Sequence, residues 1–366
     1  MVEIVDCTRN LKPFFQSKDP RLSEGITYCG KTDTLYWIDI YKAQIHRIQN
    51  FQNGSPSSMQ SNYGVVTISQ ENYNERLFNI SYPKEHSEYK ESIGVIFPND
   101  NEDGLDSHLI YFGSKFGIAQ YNYKSDQWGY IILYSSCPEL KLYGHKLRSN
   151  DGNVTPDGKY IIVGLMEDFM YDASKSDKGC VLRVDLNNQE ITMMVNGMKI
   201  PNAFHWNQDN SKMYITDSLN FTIWEYEYNT IENRLVLPHR KRALFDIHKY
   251  NVDFESPEPD GSDIDLINGL LYVSVWSTSQ IQVYDIQTGK LAKRYLLPLN
   301  TPRISCCCFV GGDLLVTCAN QYITDDEQLS NNNHDNKDVN GGCVYRIENV
   351  TQNMFPKRSS KRSLKF

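Results

Sequence analysis

TLYWIDI (34–40) and, after the two residues Tyr41 and Lys42, AQIHRI (43–48) form the stretch on which the fold turns. The first segment is an apolar run that closes near an acid. The second alternates apolar and polar residues, as a strand with one covered face does. The same pairing recurs along the chain. YIIVGLM (160–166) precedes CVLRVDL (180–186), KMYITDS (212–218) precedes TIWEYEY (222–228), and LLYVSVW (270–276) precedes QIQVYDI (280–286). LLVTCAN (314–320) precedes CVYRIEN (343–349), and LIYFGS (109–114) supplies a further first segment. Turn formers such as Pro156-Asp157-Gly158 and Thr288-Gly289 separate the strands. These six beats lie roughly 45 to 75 residues apart, the repeat length of four-stranded propeller blades. No beat has enough apolar residues for a core of its own, so radial packing must supply one. The pattern predicts an all-β fold, a six-bladed β-propeller over residues 1–356 as one domain, followed by a basic tail at 357–366. A β-sandwich or two stacked β domains is the alternative that periodicity leaves open.

Composition narrows the functions. Of 366 residues, 40% are hydrophobic and 22% charged, a balance that can bury a large core. The 24 tyrosines and the short β-branched runs favour strands over helices. A formal net charge of -8 without a basic stripe argues against nucleic acid as a partner. The one basic cluster, KRSSKRSLKF (357–366), reads as a solvated flexible tail, with a localisation signal or an anionic partner as the other reading. No stretch has the 18 or so apolar residues that span a bilayer, and the N-terminus lacks the pattern of a signal peptide. The nine cysteines include Cys306, Cys307 and Cys308 in a row, which cannot readily bridge one another along a strand. They read as reduced, buried small hydrophobes of a cytoplasmic protein. Three polar segments, 50–62, 98–107 and 325–341, read as surface insertions.

Four segments place acids, Asn or Arg just before strands: 23–48, 146–168, 200–229 and 257–276. A propeller aims the start of each inner strand at its central channel, so residues distant in sequence can meet there. Glu24, Asn202 and Asp260 offer only oxygen ligands, two of them anionic. Such a set suits calcium, magnesium or manganese, with water completing the shell. Each of the three taken alone reads equally as a turn residue. Asp217 in YITDS either faces the channel or accepts backbone hydrogen bonds at a strand end. His145 and His205 read as structural.

The segments SEG…LYWIDI…IHR, RSNDG…PDGKY, IPNAFHW…YITDS…IWEYEY, PDG…LYVSVW, TGK and ISCCCF occur in order. Over residues 20–320 they resemble the gluconolactonase/regucalcin (senescence marker protein) family. The resemblance implies a six-bladed propeller with one divalent metal in the channel mouth, whether Ca, Mn, Mg or Zn, held by Glu24, Asn202 and Asp260. It implies substrate contacts from Arg148 and Asn150. A family acid, usually Glu, falls on Asp168, and 168–179 stands where the family carries a loop over the site. The expected activity is metal-dependent opening of a sugar lactone, with Asp260 assisting proton removal from the attacking water. The alternatives are a calcium-binding regulatory protein and a scaffold without catalysis. Arg148, whose charge would oppose a cation, favours a substrate over a pure calcium sensor.

Overall fold

The structure is a computed structural model that describes residues 2–54, 58–84, 90–99, 108–168, 177–301, 303–321, 323, 341–351 and 362–365. Its strands form six sheets, one per sequence beat. The first blade runs β3 (Ser23–Cys29), β4 (Thr34–Asp39), β5 (Gln44–Gln49) and β6 (Tyr63–Thr67), each antiparallel to the next. The second runs β7 (Ile93–Phe97), β8 (Leu109–Ser114), β9 (Gly117–Asn122) and β10 (Gln127–Leu133). The third runs β11 (Leu147–Val154), β12 (Ile161–Glu167), β13 (Gly179–Asp185) and β14 (Glu190–Met198). The fourth has β15 (Pro201–Trp206), β16 (Lys212–Asp217) and β17 (Thr222–Asn229). Both β18 (Arg234–Leu235) and β19 (Lys241–Asp246) pair with β17.

The fifth blade contains β20 (Pro259–Asp265), β21 (Leu270–Val275), β22 (Gln280–Asp285) and β23 (Lys290–Leu296). β1 (Glu3–Asp6) extends it in parallel along β23. The sixth contains β24 (Ile304–Val310), β25 (Asp313–Cys318) and β26 (Val344–Ile347). Its outer strand is β2 (Pro13–Phe15), so the beginning of the chain closes the ring onto its last blade. The inner strands β3, β7, β11, β15, β20 and β24 neighbour one another in that cyclic order.

The core divides into six clusters, each lying mainly between two adjacent blades. A blade buries both of its faces, which is why its second strands read as unbroken apolar runs. The triple cysteine shows this directly. Cys306 and Cys308 pack with Ile26, Tyr28 and Trp37 of the first blade, while Cys307 packs with Tyr272 of the fifth. Alternate side chains of β24 enter opposite interfaces, and all three sulfurs are buried and free of disulfides.

One expectation is amended. The tail is not wholly solvated: Arg362–Lys365 docks at the far end of the inner strands. Leu364 is 1% exposed within the cluster between the second and third blades. Its N–H donates to Pro98 O (3.0 Å), and Lys365 N–H donates to Gly158 O (3.0 Å). Arg362 donates from its backbone to Asn153 Oδ1 and from Nη2 to Asn210 Oδ1, both 3.0 Å, with its guanidinium 5.2 Å from the Trp206 ring centre. Within the 50–62 insertion, Met59–Asn62 forms one helical turn. Residues 100–107 and 324–340, and the 169–176 part of the loop after Asp168, lie outside the described residues, as does 352–361.

Candidate metal and substrate site

Every inner strand is irregular in the same place. Pairing with the second strand slips between Glu24 and Thr27, Ile93 and Val95, Ser149 and Gly152, Asn202 and Phe204, Pro259 and Ser262, and Ile304 and Cys306. An extra residue at each point bends the strand and re-aims the side chain before it. Glu24, Asn150, Asn202 and Asp260 sit within or beside these bulges. They belong to strands, and Asp260-Gly261 is no free turn. Gly25 takes φ +59°, a conformation that a side chain would strain. At Gly94, a Cβ would come within 2.2 Å of Ser149 O, so the second blade can approach the third only without one.

The bulges bring the predicted ligands together. Asn202 Nδ2 donates to Asp260 Oδ1 at 2.5 Å and to Ser218 Oγ at 3.3 Å, while Asn202 Oδ1 accepts from Ala203 N–H at 2.9 Å. The Asp260 carboxyl is held well above the ordinary carboxylate range, first by burial and next by the charge of Glu24. Glu258 and Asp151 push in the same direction, against the hydrogen bond from Asn202. Asp151 and Glu258 are members of this acidic mouth that the sequence reading passed over. Asp151 stands inside the quoted SNDG segment, and its Oδ2 accepts from Ala203 N–H at 3.0 Å.

This donor set fits a divalent cation. Among the described residues, no group of three or more His, Cys, Asp or Glu side chains is arranged to hold a metal, so the candidate set is two carboxylates and one amide. Concentrated negative charge that raises a carboxyl's pKa is relieved by a cation. Turning the Asn202 amide over exchanges N and O without moving another heavy atom and presents a third oxygen.

Beside the acids stand the substrate candidates. Arg148 Nη1 donates to Ser149 O (2.8 Å) and lies 3.4 Å from Asn150 Oδ1, and Asn150 Nδ2 donates to Pro201 O (3.2 Å). Asp168 sits deeper than the reading of it as a substrate contact implies. Its side chain is fully buried, with Oδ2 2.7 Å from Lys115 Nζ and Oδ1 3.8 Å from Arg148 Nε. Asp217 accepts from Lys199 N–H and Ile200 N–H at 3.2 Å and from Asn220 Nδ2 at 2.7 Å. Asp39 does the same for Arg21 N–H (2.8 Å) and Lys42 N–H (3.2 Å). The acid that recurs at the end of a second strand therefore ties down the entry loop of its blade. His205 Nε2 lies 2.9 Å from Ser262 Oγ and links two inner strands.

Fold and mouth together define a six-bladed propeller with an acidic, oxygen-lined site where its inner strands begin. Residues 22–320 match the family described as SMP-30/Gluconolactonase/LRE-like region, and the chain belongs to that family. An uncharacterized protein of Saccharomyces cerevisiae is 44% identical over 362 residues, covering 96% of this chain and 95% of that protein. Regucalcin of Bos taurus is 26% identical over 175 residues, covering 47% of this chain and 54% of that protein. Among solved structures, the fold is similar to a luciferin-regenerating enzyme (TM-score 0.69, 21% identity, 94% of this chain and 96% of that one). It is also similar to a calcium-binding protein, regucalcin, from Agrobacterium tumefaciens (TM-score 0.68, 16% identity, 100% and 99%). A gluconolactonase from Xanthomonas campestris gives TM-score 0.58 at 14% identity, with 92% and 88% covered. Among the described residues, no helix is long and apolar enough to cross a membrane.

Proposed function

We propose that this chain is a divalent-metal-dependent lactonase that opens a sugar lactone, with Glu24, Asn202 and Asp260 as the metal ligands. The observation that carries this reading is the convergence of those three side chains at bulged starts of three inner strands, with Arg148 and Asn150 beside them. The gluconolactonase among the fold's neighbours and the family membership support the substrate class. A divalent cation bound there supplies Lewis acidity toward the lactone carbonyl and lowers the pKa of water.

The protein's own groups do the rest. Asp260 accepts the proton of the attacking water. Asn202, hydrogen-bonded to Asp260, and Glu24 complete the ligand set. Arg148 donates to carbonyl or ring oxygens, and Asn150 exchanges hydrogen bonds with sugar hydroxyls. Asp168 serves the substrate through Arg148. Water adds to the carbonyl carbon, the ring C–O bond breaks, and the released alkoxide takes up a proton, giving the hydroxy acid.

The test is acid release from a panel of aldonolactones by purified protein, after chelation and after re-addition of each divalent metal. Turnover that metal restores and that Asp260→Ala lacks supports the reading. Stoichiometric metal binding without turnover on any lactone would assign the site to a calcium-binding role instead.

A further inference from the structure

Lys115 lies in the turn between β8 and β9, and no sequence motif drew attention to it. A lysine with no exposed side-chain surface needs a reason, because burying its charge is costly unless paired. Its Nζ is 2.7 Å from Asp168 Oδ2, and burial draws its proton affinity down while Asp168 opposes that. The turn is pinned from two sides. Ser114 Oγ donates to Glu91 Oε2 (2.6 Å), and Glu91 Oε1 accepts from Tyr82 and Tyr130 hydroxyls, both at 2.7 Å. Ser149 Oγ donates to Ser114 O at 2.7 Å. Ser149 separates Arg148 from Asn150, so the base of the lysine is fixed to the strand that carries both substrate candidates.

Two cations thus share one carboxylate, and they share it unequally. Lys115 has a hydrogen bond to Oδ2, whereas Arg148 Nε stands 3.8 Å from Oδ1, beyond hydrogen-bond reach. A buried carboxylate facing a guanidinium alone draws it into a close, often two-pronged pair. Here Arg148 spends Nη1 on Ser149 O instead, and Nη2 makes no hydrogen bond within the described residues. We infer that Lys115 is a positioning residue for Arg148: by occupying Asp168, it keeps the guanidinium from collapsing onto that carboxylate and leaves it presented to the ligand. This rests on the lactonase reading only for what the ligand is. The guanidinium's position does not depend on it.

The experiment joins coordinates to kinetics. Crystal structures and gluconolactone kinetics are obtained for the wild type, Lys115→Met, Lys115→Arg and Asp168→Asn with and without Lys115→Met. In Lys115→Met the guanidinium is expected to move to hydrogen-bond distance of Asp168. KM should rise about tenfold with kcat within about twofold, the signature of lost ground-state contact. Lys115→Arg restores most of the KM, which loss of packing alone would not explain. In the Asp168→Asn background, adding Lys115→Met should leave KM and the Arg148 position as they were, since the carboxylate through which Lys115 acts is gone. An unmoved Arg148 in Lys115→Met overturns the proposal, as does an equal KM penalty in both backgrounds. Should Lys115→Met fold only in the Asp168→Asn background, an unchanged KM there sustains the proposal and a changed one overturns it. Should the wild type open no lactone, the lactonase reading fails while the Arg148 coordinates still decide this one.

Discussion

The two ends of the inner-strand ring are made by the same six strands and differ in what they tolerate. At the starting end the strands bulge, and burial together with the charges of Glu24, Glu258 and Asp151 raises the proton affinity of the Asp260 carboxyl. At the far end of the second to fourth blades, the inner-strand pairing is regular and the docked residues find partners: Leu364 an apolar cluster, Arg362 two asparagines and an indole. One end concentrates buried charge, and the other seals surface. Variants at the first should change chemistry with little loss of fold, and variants at the second the reverse.

The sharpest way to break this contrast is Asp260→Ala. It should lower lactone hydrolysis by about a thousandfold or more, in the range expected for removal of a principal catalytic group. In chelator it should melt no lower than the wild type, and calorimetry checks both halves. The same carboxyl sets a pH dependence. Its folded-state pKa lies above the ordinary value of 3.8, so the folded chain binds the proton more tightly than the unfolded one. The stability from that proton is complete below the unfolded value and is lost as pH rises through the folded one. Metal-free wild type should therefore lose stability over that window, and Asp260→Asn should flatten the loss. A melt series with and without divalent metal measures it.

Leu364→Ala tests the opposite end. Truncating a buried leucine should cost about 2–5 kcal/mol, read by denaturant unfolding, with hydrolysis unchanged. A large loss of activity there would show that the two ends are coupled. Gly94→Ala probes the seam between the second and third blades, because its Cβ would meet Ser149 O at 2.2 Å. It should cost about 1–3 kcal/mol and also impair turnover by shifting the strand that carries Arg148 and Asn150. Asn150→Ala is the mildest, with kcat/KM falling about tenfold, the worth of roughly one hydrogen bond to a sugar hydroxyl.

The contrast also marks where the sequence is legible. Second and third strands were visible because each is apolar or alternating over six or seven residues, so six beats gave six blades. The starting end was partly visible, since oxygen-bearing residues stood just ahead of those beats. Inner strands broken by a bulge show no clean period, and so Asp260-Gly261 looked like a turn. Asp151 was overlooked because its role is to accept from Ala203, 52 residues along in another blade. Lys115 follows an ordinary strand, and only folding sets it against Asp168. The far end was hidden altogether. Residues 357–366 look like a solvated charge run because Leu364 is the one large aliphatic residue in it. Its docking depends on a pocket assembled from the second and third blades. Ring closure by Pro13–Phe15 is likewise a tertiary event that a three-residue strand cannot announce.

The central claim is that the starting end is a single divalent-metal site made by Glu24, Asn202 and Asp260. Titration calorimetry of chelated protein with calcium, manganese, magnesium and zinc tests it most directly. One ion per chain is predicted, with affinity lost in Glu24→Gln, Asn202→Ala and Asp260→Ala and kept in Leu364→Ala. Wild-type affinity retained in Asp260→Ala would contradict the claim.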